Sequence, residues 1–256
     1  MKKTIAALSA IMLAASLSVS AKEIRFGVDA SYAPFESKAT SGELVGFDID
    51  LGNEICKRLH AECKWVENDF DGMIPALKAK KFDGILSSMS MTEQRMKEIS
   101  FSAKLFNTPT RMVAKVHSGL MPTPASLKGK RVGVEQGTIQ ETYAKTFWAP
   151  KGVDVVPYKD QKQVEADLVA GRLDATLQDA VEASEGFLKK PEGKGFAFAG
   201  KDLVDKKTLG EGAGIGMRKE DVALKAEIDK AIASILKDGT YKKLEKKYFD
   251  FDVYGK

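Results

Sequence analysis

The feature that most restricts how this chain can fold is a repeated order of segments. A short apolar run is followed by a loop of small or polar residues, then by a stretch with apolar residues at helical spacing. Residues 23–28 alternate apolar and polar side chains as a strand does. After a loop containing Pro34, residues 46–59 place Phe47, Ile49, Leu51, Ile55 and Leu59 on one helical face. Residues 63–66 read as the next strand. Asp71 stands where it can cap a helix running to Lys80, with Met73, Ile74 and Leu77 toward the core. Residues 83–86 form a short strand that runs into Ser87, Ser88, Met89 and Ser90. Thr92 then caps a helix with Arg95 at its third position.

The same order recurs in the second half. Residues 131–135 form a strand, Gln136-Gly137 a turn, and Thr138 and Glu141 have the spacing of a capping box. Residues 153–157 are a strand, Asp160 caps a helix that ends at Gly171, and residues 173–177 are a strand that ends in Gln178-Asp179. Two helices, residues 221–237 and 240–248, close the chain around Gly239. Strands alternating with helices imply an α/β fold of parallel-type sheets with helices on both faces, and two such runs imply two lobes.

The N-terminal end bears on compartment. Lys2 and Lys3 precede an almost wholly apolar run over residues 5–17, and Val19-Ser20-Ala21 fits a cleavage site, so residues 1–21 read as a secretory signal peptide. The run falls short of the roughly 20 residues of a membrane span, and no Cys follows it to carry a lipid. The formal charge of +4 includes both leader lysines, and the charges are mixed along the chain, which argues against nucleic acid as a partner. The run Lys242-Lys243-Leu244-Glu245-Lys246-Lys247 reads as a solvated helix face. In an exported chain the two cysteines, Cys56 and Cys63, meet an oxidising compartment, and a disulfide between them is expected. Closing so short a loop contributes roughly 2–3 kcal/mol in the chain-entropy view. A metal site is not expected, since two cysteines with His60 between them do not complete a zinc tetrahedron.

Ligands of open α/β sheets bind beyond the carboxyl ends of the strands. The residues there are Asp29, Ser87, Ser88, Ser90, Glu135, Thr138 and Asp179. Taken singly each has an ordinary structural explanation: a strand-end Asp caps, a serine turns, an Arg in a first helical turn faces water. Together they match an α-amino acid. Arg95 offers a two-pronged donor for a carboxylate, helix starts after Ser90 and Gly137 offer backbone N–H groups, and Asp179 with the Ser88 region offers acceptors for an ammonium.

Eight segments then carry a resemblance over essentially the whole chain beyond the leader: YAPFES (32–37), ELVGFDIDL (43–51), IPALKAKKFD (74–83), SSMSMTEQR (87–95), LKGKRVGVEQGTIQE (127–141), AGRLDATLQD (170–179), ASEGFLKKP (183–191) and DGTYKKLEKKYFDFDVYG (238–255). The chain resembles the periplasmic lysine/arginine/ornithine- and histidine-binding proteins of ABC import systems, and the Cys56/Cys63 pair matches too. The resemblance implies a two-lobed fold with two connecting hinge strands near residues 106–111 and 204–212. Lobe one would be residues 22–107 plus 211–256, and lobe two residues 108–210. It implies a monomer in the periplasm that needs no cofactor and delivers a basic L-amino acid to a membrane permease. Arg95, with Ser90 beside it, would hold the ligand carboxylate. Asp179, with Ser88, would hold the ammonium. Asp29 would meet the basic side chain, Tyr32 and Phe70 would flank its stem, and Ser87 would line its pocket. Phe70 fits the lysine/arginine/ornithine type, where the histidine type has Leu.

Two positions depart from the family pattern. Ile139 stands where a Thr is usual next to the carboxylate, a place that works through its backbone N–H. Glu135 stands where a Leu is usual beside the ligand side chain. A second negative charge next to Asp29 would favour arginine or lysine over histidine and exclude neutral amino acids. Two other readings compete. One is an enzyme of the cyclohexadienyl dehydratase kind on the same fold, with Glu135 or Glu182 as acid. The other is a receptor's ligand-binding domain, which would need a membrane helix or kinase module.

Overall fold

The computed structural model describes residues 22–255; the expected leader, residues 1–21, lies outside the described residues. Strand β1 (Lys22–Val28) leads to a small antiparallel sheet of β2 (Ser31–Tyr32), β3 (Glu36–Lys38) and β4 (Leu44–Val45). Helix α1 (Phe47–Arg58), β5 (Ala61–Glu67), α2 (Met73–Lys78), β6 (Gly84–Ile85), α3 (Glu93–Glu98) and β7 (Ser100–Phe101) follow. The next part holds β8 (Thr110–Lys115), α4 (Pro124–Leu127), β9 (Arg131–Glu135), α5 (Ile139–Phe147), β10 (Asp154–Tyr158), α6 (Gln161–Val169), β11 (Ala175–Asp179) and β12 (Phe196–Leu203). Helix α7 (Lys206–Leu209), β13 (Gly216–Met217), α8 (Val222–Lys237) and α9 (Thr240–Tyr248) end the chain.

The strands form two five-stranded sheets, ordered β5-β1-β6-β13-β7 and β10-β9-β11-β8-β12. Each is mixed rather than purely parallel. Strands β5, β1 and β6 run parallel, as do β10, β9 and β11. In the first sheet β13 runs antiparallel to β6 and β7, and in the second β8 runs antiparallel to β11 and β12. The antiparallel strands are those the chain enters after crossing from one sheet to the other, where no βαβ crossover within a single sheet sets the direction.

Each sheet buries both faces. Ile24 and Phe26 pack with Phe47, Leu51 and Ile55 of α1 and with Ile228, Ile232 and Ile235 of α8. Met73 and Leu77 of α2 form a second cluster with Phe82 and Ile85. A Cβ on Gly27 would lie 2.6 Å from the Phe82 ring, so glycine lets that ring lie flat on β1. Along β8, Met112 and Ala114 join one cluster with Trp148, and Val113 joins another with Val164 and Leu168 of α6. That is the period-two alternation of a strand covered on both sides. Cys56 of α1 and Cys63 of β5 form a disulfide with Cα atoms 5.7 Å apart, pinning the helix to the sheet edge.

Three local expectations need correction. Asp71 does not cap a helix: residues Phe70–Gly72 form a 3-10 turn, Gly72 is the N-cap of α2, and no side chain caps it. The cause is tertiary, because the Phe70 N–H is bonded at 3.1 Å to the Asp29 carboxylate. The capping box at α5 is displaced by one residue. Thr138 accepts from the Glu141 N–H, but Glu141 Oε2 accepts from Gly137 N at 2.7 Å rather than from Thr138. The passages between the sheets are barely strand-like. Phe106 meets Ala213 in an isolated antiparallel bridge, and the second passage contains α7.

The parallel strands of both sheets end at one crevice. Asp29 follows β1, Ser87 follows β6, and Glu135 and Asp179 are the last residues of β9 and β11.

Candidate functional site

A pocket occupies that crevice. Residues from the first sheet and its loops that line it include Asp29, Tyr32, Phe70, Ser87, Ser88, Ser90 and Arg95. From the second sheet come Glu135, Thr138, Ile139 and Asp179. All eleven residues singled out from the sequence therefore face one cavity. Glu182 does not: it is fully buried, and its Oε2 accepts from Gln178 Nε2 at 2.6 Å within the second sheet's own core.

Arg95 reaches across the crevice. Its Nη1 donates to Ser90 O at 2.8 Å and its Nη2 to Gly137 O at 2.9 Å, joining α3 to the turn before α5. The Phe70 ring lies 5.4 Å from the guanidinium carbon, within cation–π range. Desolvation brings the Arg95 pKa down to about 10, so it stays a cation at neutral pH. Next to it, Thr138 uses its hydroxyl within the turn, donating to Glu135 O and accepting from Glu141 N. The N–H groups of the first turn of α5 then present a positive end to the pocket.

Asp179 caps the π-helical turn Glu182–Leu188: its Oδ1 accepts from Val181 N at 2.8 Å and Glu182 N at 3.1 Å. Its Oδ2 accepts from the Thr108 hydroxyl. Burial raises its pKa to about 6, against these stabilising bonds. Asp29 is held likewise, accepting from Ser31 N and Phe70 N, each at 3.1 Å. Burial raises its pKa, and its backbone bonds oppose the shift.

Glu135 is different. Its side chain is nearly buried, at 3% exposed, and its carboxyl finds no hydrogen-bond donor or cation among the described residues. Desolvation drives its pKa well up, and the like charges of Asp29, Asp160 and Asp71 add to this. The pocket thus sets one guanidinium, Arg95, against three buried carboxyl groups, Asp29, Glu135 and Asp179, while the oxygens of a fourth, Glu36, are taken up by Ser87 and Ser88.

The sheets meet around this pocket at several other points. Lys159 Nζ lies 3.2 Å from Asp69 Oδ1. A Cβ on Gly137 would fall 2.7 Å from the Asp71 Cα, and one on Gly186 would fall 2.5 Å from Ala33 O. Side chains at either glycine would hold the sheets apart.

The sequence reading missed Glu36, Thr108 and Gln140, which also line the pocket. Thr108 lies in a passage between sheets with no periodic pattern, and Gln140 lies on α5, bonded at 3.1 Å to Thr110 Oγ1. Glu36 had a visible signal, an acidic residue inside an apolar-aromatic loop segment.

The chain matches the bacterial extracellular solute-binding proteins, family 3, over residues 24–251. It is 55% identical over 259 residues to the lysine/arginine/ornithine-binding periplasmic protein of Escherichia coli K12, covering 100% of both chains. It is 52% identical to the histidine-binding periplasmic protein of the same strain, again covering 100% of both. A solved structure of a Salmonella typhimurium periplasmic binding protein, described for its high arginine specificity, superposes with a TM-score of 0.83 at 32% identity. That match covers 90% of this chain and 100% of the other.

Proposed function

Because the chain belongs to the bacterial extracellular solute-binding proteins, family 3, we propose that it is the periplasmic substrate-binding component of an ABC amino-acid importer. Its ligand is a basic L-amino acid: arginine, lysine or ornithine, with histidine bound more weakly. The observation that carries this reading is the charge layout of the pocket. One cation, Arg95, and the start of α5 suit a single carboxylate, and the surplus of acidic groups suits a ligand with two positive charges. Arg95 holds the carboxylate with Ser90 and the N–H groups at Thr138 and Ile139. Asp179 and Ser88 hold the ammonium. Asp29 and Glu135 meet the side-chain cation, with Tyr32 and Phe70 along its stem and Ser87 below.

The protein binds its ligand without turning it over, works as a monomer, and presents its closed form to a membrane permease. Residues 22–107 with 211–256 act as one lobe and residues 108–210 as the other, an arrangement supported by the membership of the two sheets. Neither lobe alone neutralises both ends of the ligand, so ligand favours the closed state by its greater affinity for it. A thermal-shift screen of the common amino acids plus ornithine and citrulline tests the reading. A ligand at 100 times its Kd adds about 2.7 kcal/mol of stability. Upward shifts confined to basic amino acids are expected; equal shifts with neutral ones would remove the proposal.

Glu135 sets the ranking among basic ligands. Its unpaired carboxyl rewards a cation that fills the space next to Asp29, as a guanidinium or a lysine ammonium does. Glu135→Leu is expected to lower the preference for arginine over histidine by about tenfold, the order of one buried charged contact. Calorimetric titration with arginine, lysine and histidine reads this directly, and unchanged relative affinities would exclude the role.

A further inference from the structure

At the first-sheet side of the pocket sit two carboxyl groups to which the proposed binding gives no direct ligand contact: Glu36, at its lining, and Asp48, behind it. Glu36 of β3 is 1% exposed and Asp48 of α1 is 0% exposed. The charged groups that act on Glu36, namely Asp48 and Asp29, are both acidic, and Tyr32 is the other titratable group packed near it. Two carboxylates in one buried site without a cation cannot both stay ionised.

The hydrogen bonds set the two groups apart. Asp48 Oδ2 accepts from the Ser88 backbone N–H at 2.8 Å, a bond that favours its ionised form. Glu36 meets only hydroxyls, Ser87 Oγ at 3.1 Å from its Oε1 and Ser88 Oγ at 3.1 Å from its Oε2. With both groups ionised, Asp48 Oδ1 is buried without a donor. A proton on Glu36 removes the repulsion between the two groups and lets Glu36 donate to the Asp48 carboxyl group.

The consequence falls on the serines. Ser87 Oγ accepts from Asp29 N at 2.9 Å, so its own proton is left for Glu36. Ser88 Oγ has Glu36 Oε2 at 3.1 Å and Asp48 Oδ2 at 3.4 Å, and its single proton goes to one of them. Ser88 is also a non-glycine residue at φ 50°, in the left-handed region, and the Asp48 bond to its N–H holds it there.

The geometry points to Glu36 as a positioning residue: a neutral acid that, with Asp48, turns the Ser88 hydroxyl proton away from the pocket and makes that hydroxyl an obligate acceptor for the ligand's α-ammonium. This inference rests on the proposed capture of an amino acid. It assigns part of the demand for a free α-amino group to Glu36 and Asp48, acting through Ser88.

Two Glu36 variants test it on the whole mature chain. Glu36→Gln mimics a neutral acid and is expected to bind L-arginine within about threefold of wild type. Glu36→Leu removes the nearer acceptor of the Ser88 proton, leaving only the longer contact to Asp48, and is expected to lose about tenfold or more, one charged hydrogen bond's worth. The control ligand is 5-guanidinopentanoate, arginine without its α-ammonium, for which Glu36→Leu should leave the affinity unchanged. Equal weakening of both ligands would overturn the inference, because a merely structural role treats them alike. So would a Glu36→Gln loss as large as that of Glu36→Leu.

A ligand-free readout separates this inference from the binding proposal. A Glu36 that keeps its proton when folded and loses it when unfolded lowers stability as pH rises above the usual glutamate range. Glu36→Gln removes that loss. Its melting temperature relative to wild type should therefore climb between about pH 5 and about pH 8, and a constant difference would overturn the inference. Failure of the binding proposal shows elsewhere, as no arginine binding by the wild-type protein.

Discussion

Replacing Arg95 with methionine is expected to weaken L-arginine binding by more than a hundredfold while leaving the fold intact. The guanidinium is the sole cation lining the pocket among the described residues. Without it the ligand carboxylate would be enclosed with only the N–H groups of α5 as partners. Breaking a buried ion pair from one side costs about 3–5 kcal/mol, mainly through the charge left behind. Methionine keeps most of the stem that packs near Phe70, so the melting temperature of the empty protein should move little. The variant also loses the bonds to Ser90 O and Gly137 O that tie α3 to the turn before α5. Small-angle scattering should then find the empty variant more open than wild type. Calorimetry that shows less than a tenfold loss would move the carboxylate site away from Arg95.

Asp179→Asn should have a comparable effect, with a signature in pH. The amide can keep the cap on Val181 and Glu182 through its oxygen, but its NH2 then faces the ligand ammonium. A loss of about 3 kcal/mol or more in L-arginine affinity is expected. Because burial lifts the Asp179 pKa to about 6, the empty pocket takes up a proton there below that pH. A bound ammonium favours the ionised form, so binding must expel the proton. Wild-type affinity should therefore fall as pH drops below about 6, by up to about tenfold per unit for each proton expelled. Asp29 and Glu135, also raised, steepen the fall. In Asp179→Asn the part due to Asp179 disappears. A wild-type affinity that is flat between pH 7.5 and pH 5 would contradict the assignment.

Several parts of this molecule could be read from the chain because a local pattern reports them. Thr92, Thr138 and Asp160 cap their helices through their side chains as the spacing implied. The strand ends that carry Asp29, Glu135 and Asp179 were marked by apolar runs stopping at acidic residues. What could not be read depends on contacts distant in sequence. Asp71 has the local look of a cap, yet Asp29, far back in the chain, sets the backbone there by taking the Phe70 N–H. Thr108 becomes a partner of Asp179 only because a passage between the sheets brings it there. Strands β7 and β13 are two residues each, too short for any period to show. Glu36 was visible as a residue but not as a buried acid, since its burial depends on α1 folding over the β2–β3–β4 sheet.

The interleaving of the first sheet also sets an order of assembly. Strand β7 joins that sheet only through β13, and the same core takes Ile228, Ile232, Ile235, Tyr241 and Phe249 from the last part of the chain. The second sheet is built entirely from residues 110–203. Its contacts can close as soon as that stretch has emerged, whereas the N-terminal sheet must wait for nearly the whole polypeptide. Long-range pairing of that kind slows folding. For a chain that must cross a membrane before it works, the delay is useful: the end that leads through the export channel is the end that cannot collapse early.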